Sequence, residues 1–252
     1  MKLQLIRHTA LWLEYGDRRF LIDPMLGEAG AMPPIPDTPN NRRNPLVPLP
    51  HRKEHWLRQG PDAVIVTHLH PDHWDEAAAA ALPKSIPLYC QPEDEERLRS
   101  QGFTRTVPVH GQLTLDGTEI SLARTGGRHG TGEIGRRMGT VSGIVFRAPG
   151  EPALYLAGDT IWCDEVREAL DRHRPDVAVV NAGGARFNAG DPITMDADDV
   201  VRVCRHAPDA RVVAVHMEAI NHCLVTRDDL RLRLEEKGLA QRVTIPGDGE
   251  WI

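Results

Sequence analysis

The sequence predicts an α/β protein in which two β-sheets pack together and helices cover their outer faces. Residues 3–22 alternate apolar and polar residues in runs separated by Gly16-Asp17, which is typical of a β-meander. Short apolar strands then alternate with helices in 63–101 and again in 164–245. Several β-runs lie between these two stretches. This order favours two sheets packed together with helices outside.

The predicted elements follow the meander, which ends at Asp23-Pro24. Strands are predicted where short apolar runs are bounded by polar residues, glycine or proline: 63–66, 86–90, 105–109, 112–115, 119–123, 141–147, 153–157, 177–180, 211–215 and 242–245. Helices are predicted at 74–82, 92–101, 164–173, 196–206 and 227–237. The sequence shows no internal repeat. We therefore expect residues 1–252 to form one domain.

The segment from about residue 27 to residue 50 interrupts this pattern. It is rich in proline, with Pro33, Pro34, Pro36, Pro39, Pro45, Pro48 and Pro50. So many prolines exclude both a helix and a central strand. A loop of this length inside a compact domain is often a lid or a binding loop. The interpretation favoured here is a lid over the functional site.

Composition narrows the class of protein. The chain has 252 residues with 30 basic and 36 acidic side chains, so its formal net charge is −6. Because nucleic acids and anionic membranes are bound through basic patches, neither is expected as a partner. No run approaches the roughly 20 apolar residues of a membrane span, and the amino terminus lacks the order of a signal peptide. A cytoplasmic location is therefore expected. The four cysteines form no CxxC pair, which argues against a disulfide framework or a zinc ribbon.

One short stretch carries ligand-type side chains. His68, His70, Asp72 and His73 directly follow the predicted strand 63–66. Imidazole nitrogens and carboxylate oxygens are ligands that zinc accepts readily. At a strand end, His68 and His70 can point to one side, and the turn brings Asp72 and His73 to an adjacent position. Such a cluster can serve two ions about 3.5–4 Å apart, so the sequence predicts a metal centre here.

At this cluster the sequence resembles the metallo-β-lactamase-fold superfamily, and the likeness continues along the chain. Asp159 lies in a Gly-Asp-Thr segment after an apolar strand, like the aspartate that bridges two metals in that family. His216 ends the strand 211–215, like the family's last histidine ligand. His129 stands among glycines before the strand that leads to Asp159, where the family supplies a ligand of the first metal.

The resemblance implies both a fold and a ligand set. The fold is a four-layer αββα sandwich of two mixed β-sheets with helices on the outer faces. The ligand set is two metal sites that share Asp159, formed by His68, His70 and His129 at the first and by Asp72, His73 and His216 at the second. His222 competes with His216 for the last position. His216 is preferred because a strand end is better fixed than the loop beyond it.

Two further features refine the resemblance. Within the superfamily, the chain most resembles the branch that contains L-ascorbate-6-phosphate lactonase. The features that carry this likeness are the short chain, His8, Asp23-Pro24 and the segment that begins at Asn181. Many true β-lactamases of this fold have a different residue at the metal position of Asp159. This difference argues against antibiotic hydrolysis.

Side chains near the ligands suggest supporting roles. Metal-bound histidines usually donate their second N–H to a carboxylate or a carbonyl, and Asp23 is the expected acceptor. Arg128 and Arg186 are predicted substrate contacts, because arginine forks match carboxylates and phosphates. Asn181 and His222 are also predicted to contact substrate.

These residues together predict a binuclear metal-dependent hydrolase that uses a metal-activated water. Asp72 is expected to orient the nucleophile or accept its proton, and His222 to donate a proton to the leaving group. Two divalent ions are expected, Zn²⁺ by preference, with Mn²⁺ and Fe²⁺ open. The leading hypothesis is hydrolysis of a small lactone or ester, a phosphorylated one included. Phosphodiesterase or nuclease activity and a non-catalytic metal-binding role are the alternatives. The expected partner is a small-molecule substrate, and a homo-oligomer is left open.

Overall fold

The computed structural model describes residues 1–252 and contains two mixed β-sheets. The first sheet has its six strands in chain order: β1 (Lys2–Arg7), β2 (Ala10–Tyr15), β3 (Arg18–Ile22), β4 (Ala63–Val66), β5 (Leu88–Cys90) and β6 (Thr106–Pro108). Strands β1 to β3 pair antiparallel, and β3 to β6 pair parallel. The carboxyl ends of β1, β3 and β4 therefore lie at one edge.

The second sheet repeats this arrangement with seven strands, again in chain order: β7 (Gln112–Thr114), β8 (Ser121–Thr125), β9 (Gly143–Arg147), β10 (Leu154–Leu156), β11 (Val177–Asn181), β12 (Arg211–Val215) and β13 (Val243–Thr244). Strands β7 to β10 pair antiparallel, and β10 to β13 pair parallel. The chain leaves β10, β11 and β12 at the same edge.

Seven α-helices connect the strands: α1 (Lys53–Arg58), α2 (Glu76–Ala81), α3 (Glu95–Ser100), α4 (Gly132–Met138), α5 (Asp164–His173), α6 (Ala197–His206) and α7 (Arg227–Glu236). Short 3₁₀ turns occupy Pro92–Asp94 and Ala240–Arg242. None of the helices combines the length and the apolar character that crossing a bilayer requires.

Three apolar clusters separate four layers. The central cluster joins the inner faces of both sheets, as Phe20 of β3 and Phe146 of β9 illustrate. A second cluster packs α1, α2 and α3 against the first sheet, with Trp56 fully buried. A third packs α5, α6 and α7 against the second sheet. The predicted four-layer sandwich is confirmed.

Several predicted elements differ from the structure. Helices α1 and α4 were not expected, because α1 buries only Trp56 and α4 buries no residue, so neither shows an amphipathic pattern. The helix predicted at 74–82 begins at Glu76, because the Asp75 carboxylate caps it by accepting from the Ala78 N–H at 2.7 Å. The helix predicted at 92–101 starts as a 3₁₀ turn.

The Asp75 side chain also accepts from the Gly27 N–H at 2.6 Å, at the start of the proline-rich segment. We expect Asp75→Ala to lower the free energy of unfolding by about 1–2 kcal/mol, because two buried N–H groups lose their acceptor. Urea denaturation measures this change. The matched control is Glu76→Ala, which removes an exposed carboxylate from the same helix end and should cost less than about 0.5 kcal/mol. Equal effects of the two substitutions would contradict the capping role.

Candidate metal centre

The ligand-type side chains meet where parallel strands of both sheets end. His68 follows β4 in the first sheet, while Asp159 and His216 follow β10 and β12 in the second. The backbone N–H of His216 donates to the carbonyl of His8 at 2.7 Å. This hydrogen bond joins the end of β12 in the second sheet to the end of β1 in the first. The site therefore lies at the carboxyl edge of both sheets, where open α/β sheets commonly bind ligands.

One group of side chains surrounds the first candidate position. His68, His70, His129 and Asp159 each direct one ligand atom to a common point, with all four atoms within 4.8 Å of one another. His68 Nε2 lies 2.9 Å from His70 Nδ1, which is 3.3 Å from His129 Nε2. The Asp159 Oδ2 atom is 3.4 Å from His129 Nε2.

A second group shares Asp159 and lies beside the first. It consists of Asp72, His73, Asp159 and His216, all buried and again with their ligand atoms within 4.8 Å. The Nε2 atoms of His73 and His216 are each 3.2 Å from Asp159 Oδ1. Neither nitrogen has a hydrogen-bond partner of suitable geometry. Two buried imidazole nitrogens that face carboxylates without a hydrogen bond are suited to a cation.

The remaining ring nitrogens are held by other groups, which orients the ligands. His73 Nδ1 lies 2.9 Å from Asp23 Oδ2, and Asp23 also accepts from the backbone and hydroxyl of Thr67 at 2.7 Å each. His129 Nδ1 donates to the carbonyl of Ile193 at 2.7 Å. These contacts turn the Nε2 atoms of both histidines toward the centre. Asp23 thus occupies the position expected of a supporting acceptor.

The protonation states fit the same interpretation. Burial lowers the pKa of His68 far below its ordinary value and lowers that of His129 to about 4, so both rings are neutral. Burial also opposes protonation of His73, but Asp159 and Asp23 outweigh it and raise its pKa to about 10. Asp159 likewise raises the pKa of His216 against burial. The carboxylates therefore attract positive charge, which protons or a metal ion can supply.

Two residues of the centre were not assigned there from sequence. His8 is fully buried, and its Nε2 lies 3.2 Å from Asp72 Oδ2. Its ring is 3.7 Å from that of His216. Cys223 places Sγ 3.5 Å from His216 Nδ1. His8 has a φ of 63°, and a left-handed conformation in a residue other than glycine is often found at functional sites. The position of His8 at the end of a predicted strand was the sequence feature that could have indicated a place in the centre.

The predicted substrate contacts differ in their surroundings. Asn181 is buried, and its amide donates a hydrogen bond to Asp159 Oδ1 at 2.7 Å, so it contacts a candidate metal ligand. His222 is 6% exposed, and its Nδ1 has no hydrogen-bond partner. Arg128 is exposed and pairs with Glu165 at 2.9 Å. Arg186 donates to the carbonyl of Gly190 at 3.0 Å. The substrate roles of these residues stay predictions.

A cleft of about 890 Å³ opens beside the centre. Asp72, Leu69 and Trp74 line one side of it, and residues 32–36 and Ile220 contribute other walls. The proline-rich segment therefore borders the cleft that reaches Asp72. Its movement as a lid stays a prediction.

Known proteins share these features. The family model described as beta-lactamase superfamily domain matches residues 18–217. The UPF0173 protein YddR of Bacillus subtilis is 40% identical over 254 residues, which cover 99% of this chain and 98% of that protein. A UPF0173 metal-dependent hydrolase of Azorhizobium caulinodans is 26% identical over 260 residues, with 99% and 98% covered.

Solved structures agree with this relationship. The isothiocyanate hydrolase from Delia radicum gut bacteria is 39% identical, with a TM-score of 0.94 over 100% of this chain and 98% of that chain. A possible metal-dependent hydrolase from Veillonella parvula is 35% identical, with a TM-score of 0.95 and the same shares covered. The narrower likeness to the L-ascorbate-6-phosphate lactonase branch stays a prediction. The chain belongs to the UPF0173 family of metal-dependent hydrolases within the beta-lactamase superfamily.

Proposed function

We propose that this hydrolase binds two zinc ions and cleaves small uncharged molecules at an electrophilic carbon, with isothiocyanates as the first substrate class. The residues that would hold the ions are His68, His70 and His129 at one position and Asp72, His73 and His216 at the other, with Asp159 shared. Bound there, the ions would supply Lewis-acid chemistry and lower the pKa of a coordinated water from 15.7 to about 7.

Asp72 is the residue of the centre that also lines the cleft. Burial would raise the pKa of its carboxyl group, but the neighbouring imidazoles of His216 and His8 outweigh burial and hold the pKa well below the ordinary value. Asp72 is therefore a carboxylate at neutral pH. In the proposed reaction it orients the attacking water and accepts its proton.

His222 is suited to the opposite task. Its ring is buried beside the centre, and its Nδ1 has no hydrogen-bond partner within the chain. We assign it the delivery of a proton to the leaving group. For an isothiocyanate, water oxygen bonds to the central carbon, the carbon–nitrogen bond breaks, and nitrogen gains both protons of the water. The products are a primary amine and carbonyl sulfide, which balances the reaction.

The apolar lining of the cleft is the observation that carries the substrate class. Its apolar members include Leu69, Trp74, Ile220 and the segment 32–36, and the acidic Asp75 and Glu76 also line it. Lys84 and Arg97 also border the cleft, but both are exposed, and the Lys84 ammonium donates to a backbone carbonyl. Such a lining favours an uncharged apolar group over a phosphate. The 39% identity to an isothiocyanate hydrolase supports the same class.

A lactone or ester is the second candidate. It also presents an electrophilic carbon to the water held by Asp72, and its leaving oxygen needs the proton that His222 is placed to give. An uncharged lactone suits the apolar cleft better than a phosphorylated one, since Arg128 and Arg186 have partners within the chain.

The substrate classes are separated by a direct comparison. Zinc-loaded protein is incubated with benzyl isothiocyanate, an uncharged γ-lactone and bis-p-nitrophenyl phosphate. We expect kcat/KM for the isothiocyanate to exceed that for the other two by at least about tenfold, which is about 1.4 kcal/mol of transition-state stabilisation. Benzylamine and carbonyl sulfide should form in equal amounts. Preferred turnover of the phosphodiester would show that the proposed substrate class is wrong.

Metal removal tests the ion count. Elemental analysis of zinc-loaded protein should give two ions per chain. Chelation should abolish turnover and lower the melting temperature by about 5–10 °C, because ions that bind only the folded state stabilise it by mass action. Added zinc should restore both properties. A chelated, metal-free protein that keeps its activity would contradict the proposal, and one ion per chain would contradict the binuclear centre.

Substitution of Asp72 tests its assigned role. We expect Asp72→Asn to lower kcat/KM by about 10²–10⁴-fold, because an amide cannot accept the proton of water at neutral pH. Asp116→Asn, which changes an exposed carboxyl in a turn, is the control and should leave kcat/KM within twofold. Zinc content is measured for both variants. Near-normal turnover of Asp72→Asn at normal zinc content would exclude Asp72 from catalysis.

A further inference from the structure

The Asn221 side chain joins two walls of the cleft. It is fully buried and lies between Ile220, which lines the cleft, and His222. Its Oδ1 accepts from the Ile35 N–H at 3.0 Å and from Asn44 Nδ2 at 2.8 Å. Its Nδ2 lies 3.1 Å from the Ile35 carbonyl, 2.7 Å from Thr38 Oγ1 and 2.7 Å from the Asn40 carbonyl.

The main chain at this position adds to the connection. The Asn221 N–H donates to Asn44 Oδ1 at 2.9 Å, and Asn40 Nδ2 donates to the Asn221 carbonyl at 2.6 Å. The neighbouring Ala219 carbonyl accepts from the Leu46 N–H at 2.7 Å. Every one of these bonds runs between the loop after β12 and the proline-rich segment, more than 170 residues apart in the chain.

The proline-rich segment needs such a partner. Pro33, Pro34 and Pro36 have no N–H to donate, and the only β-pairing of the segment is an isolated bridge between Met32 and Asn44. Asn221 pairs with both the N–H and the carbonyl of Ile35, as a strand neighbour would. A primary amide offers two donors and an acceptor in one plane, so few other side chains can satisfy this set.

We propose that Asn221 is the positioning residue that sets the length of substrate side chain the cleft accepts. It holds the wall 32–36 against the loop that carries Ile220, so the two walls of the cleft keep a fixed separation when a substrate side chain enters. The substrate in this inference is taken from the proposed function. The positioning of the wall is inferred from the hydrogen bonds of Asn221. A preformed wall lowers the cost of ordering the site when substrate binds.

The test uses Asn221→Ala and a series of isothiocyanates from methyl to phenylethyl, all with zinc-loaded protein. The expected result is a KM about tenfold higher for the phenylethyl compound, with kcat for the methyl compound within twofold of wild type. Asn44→Ala is a milder variant that removes two of the bonds and should show a smaller rise. Asn41→Ala, an exposed asparagine of the same segment, is the control and should change neither value.

Hydrogen exchange provides a measurement that does not depend on turnover. The amides of residues 32–46 should exchange at least tenfold faster in Asn221→Ala than in wild type, while zinc content stays the same. Unchanged exchange, or a loss of activity equal for every substrate length, would overturn the assignment. If wild type hydrolyses no isothiocyanate but Asn221→Ala still speeds exchange, the proposed function fails and the connection through Asn221 stands.

Discussion

The buried carboxylate of Asp159 is the group on which the rest of the centre depends. It follows β10 of the second sheet, and its two oxygens face histidines from both sheets, among them His129 at 3.4 Å and His73 at 3.2 Å. The Asn181 amide also donates a hydrogen bond to Asp159 Oδ1 at 2.7 Å. A carboxylate removed from water is costly unless positive charge and hydrogen bonds surround it. The orientation of the histidines around Asp159 and the attraction of the centre for cations both follow from this requirement.

The edge of the sandwich meets this requirement with an ordered set of contacts. Asp23 and Thr67 fix His73, the Ile193 carbonyl fixes His129, and His8 contacts both Asp72 and His216. His8, Asp23 and His216 all have left-handed backbone conformations. Such conformations cost on the order of 1–3 kcal/mol each, so the surrounding packing must maintain them. The strands next to these turns hold them in place, and this support fixes the geometry of the candidate metal ligands.

In the proposed function, the cleft beside this centre selects the substrate. One end of the cleft reaches Asp72, and its walls are mainly apolar, with the charged Lys84 and Arg97 exposed at the border. The proline-rich wall is connected by Asn221 to the same loop that carries His216 and His222. The candidate metal ligands and the proline-rich wall of the cleft are therefore parts of one connected structure. Relatives that share the fold and the candidate ligands can still act on different substrates, because the cleft is formed by other segments of the chain.

The fold class and the local ligand cluster could be predicted from the amino-acid pattern. Alternating apolar runs predict strands from short-range pattern, and His68, His70, Asp72 and His73 are neighbours on one strand end and turn, so their proximity needs no long-range contact. The resemblance to a known family then pointed to Asp159, His216 and His129. Helices α1 and α4 escaped prediction because they bury almost nothing. The contact of His8 with Asp72 and the contacts of Asn221 with the proline-rich segment could not be predicted in this way. Both contacts join chain segments far apart in sequence, and their distances are fixed by how two sheets pack rather than by any local pattern.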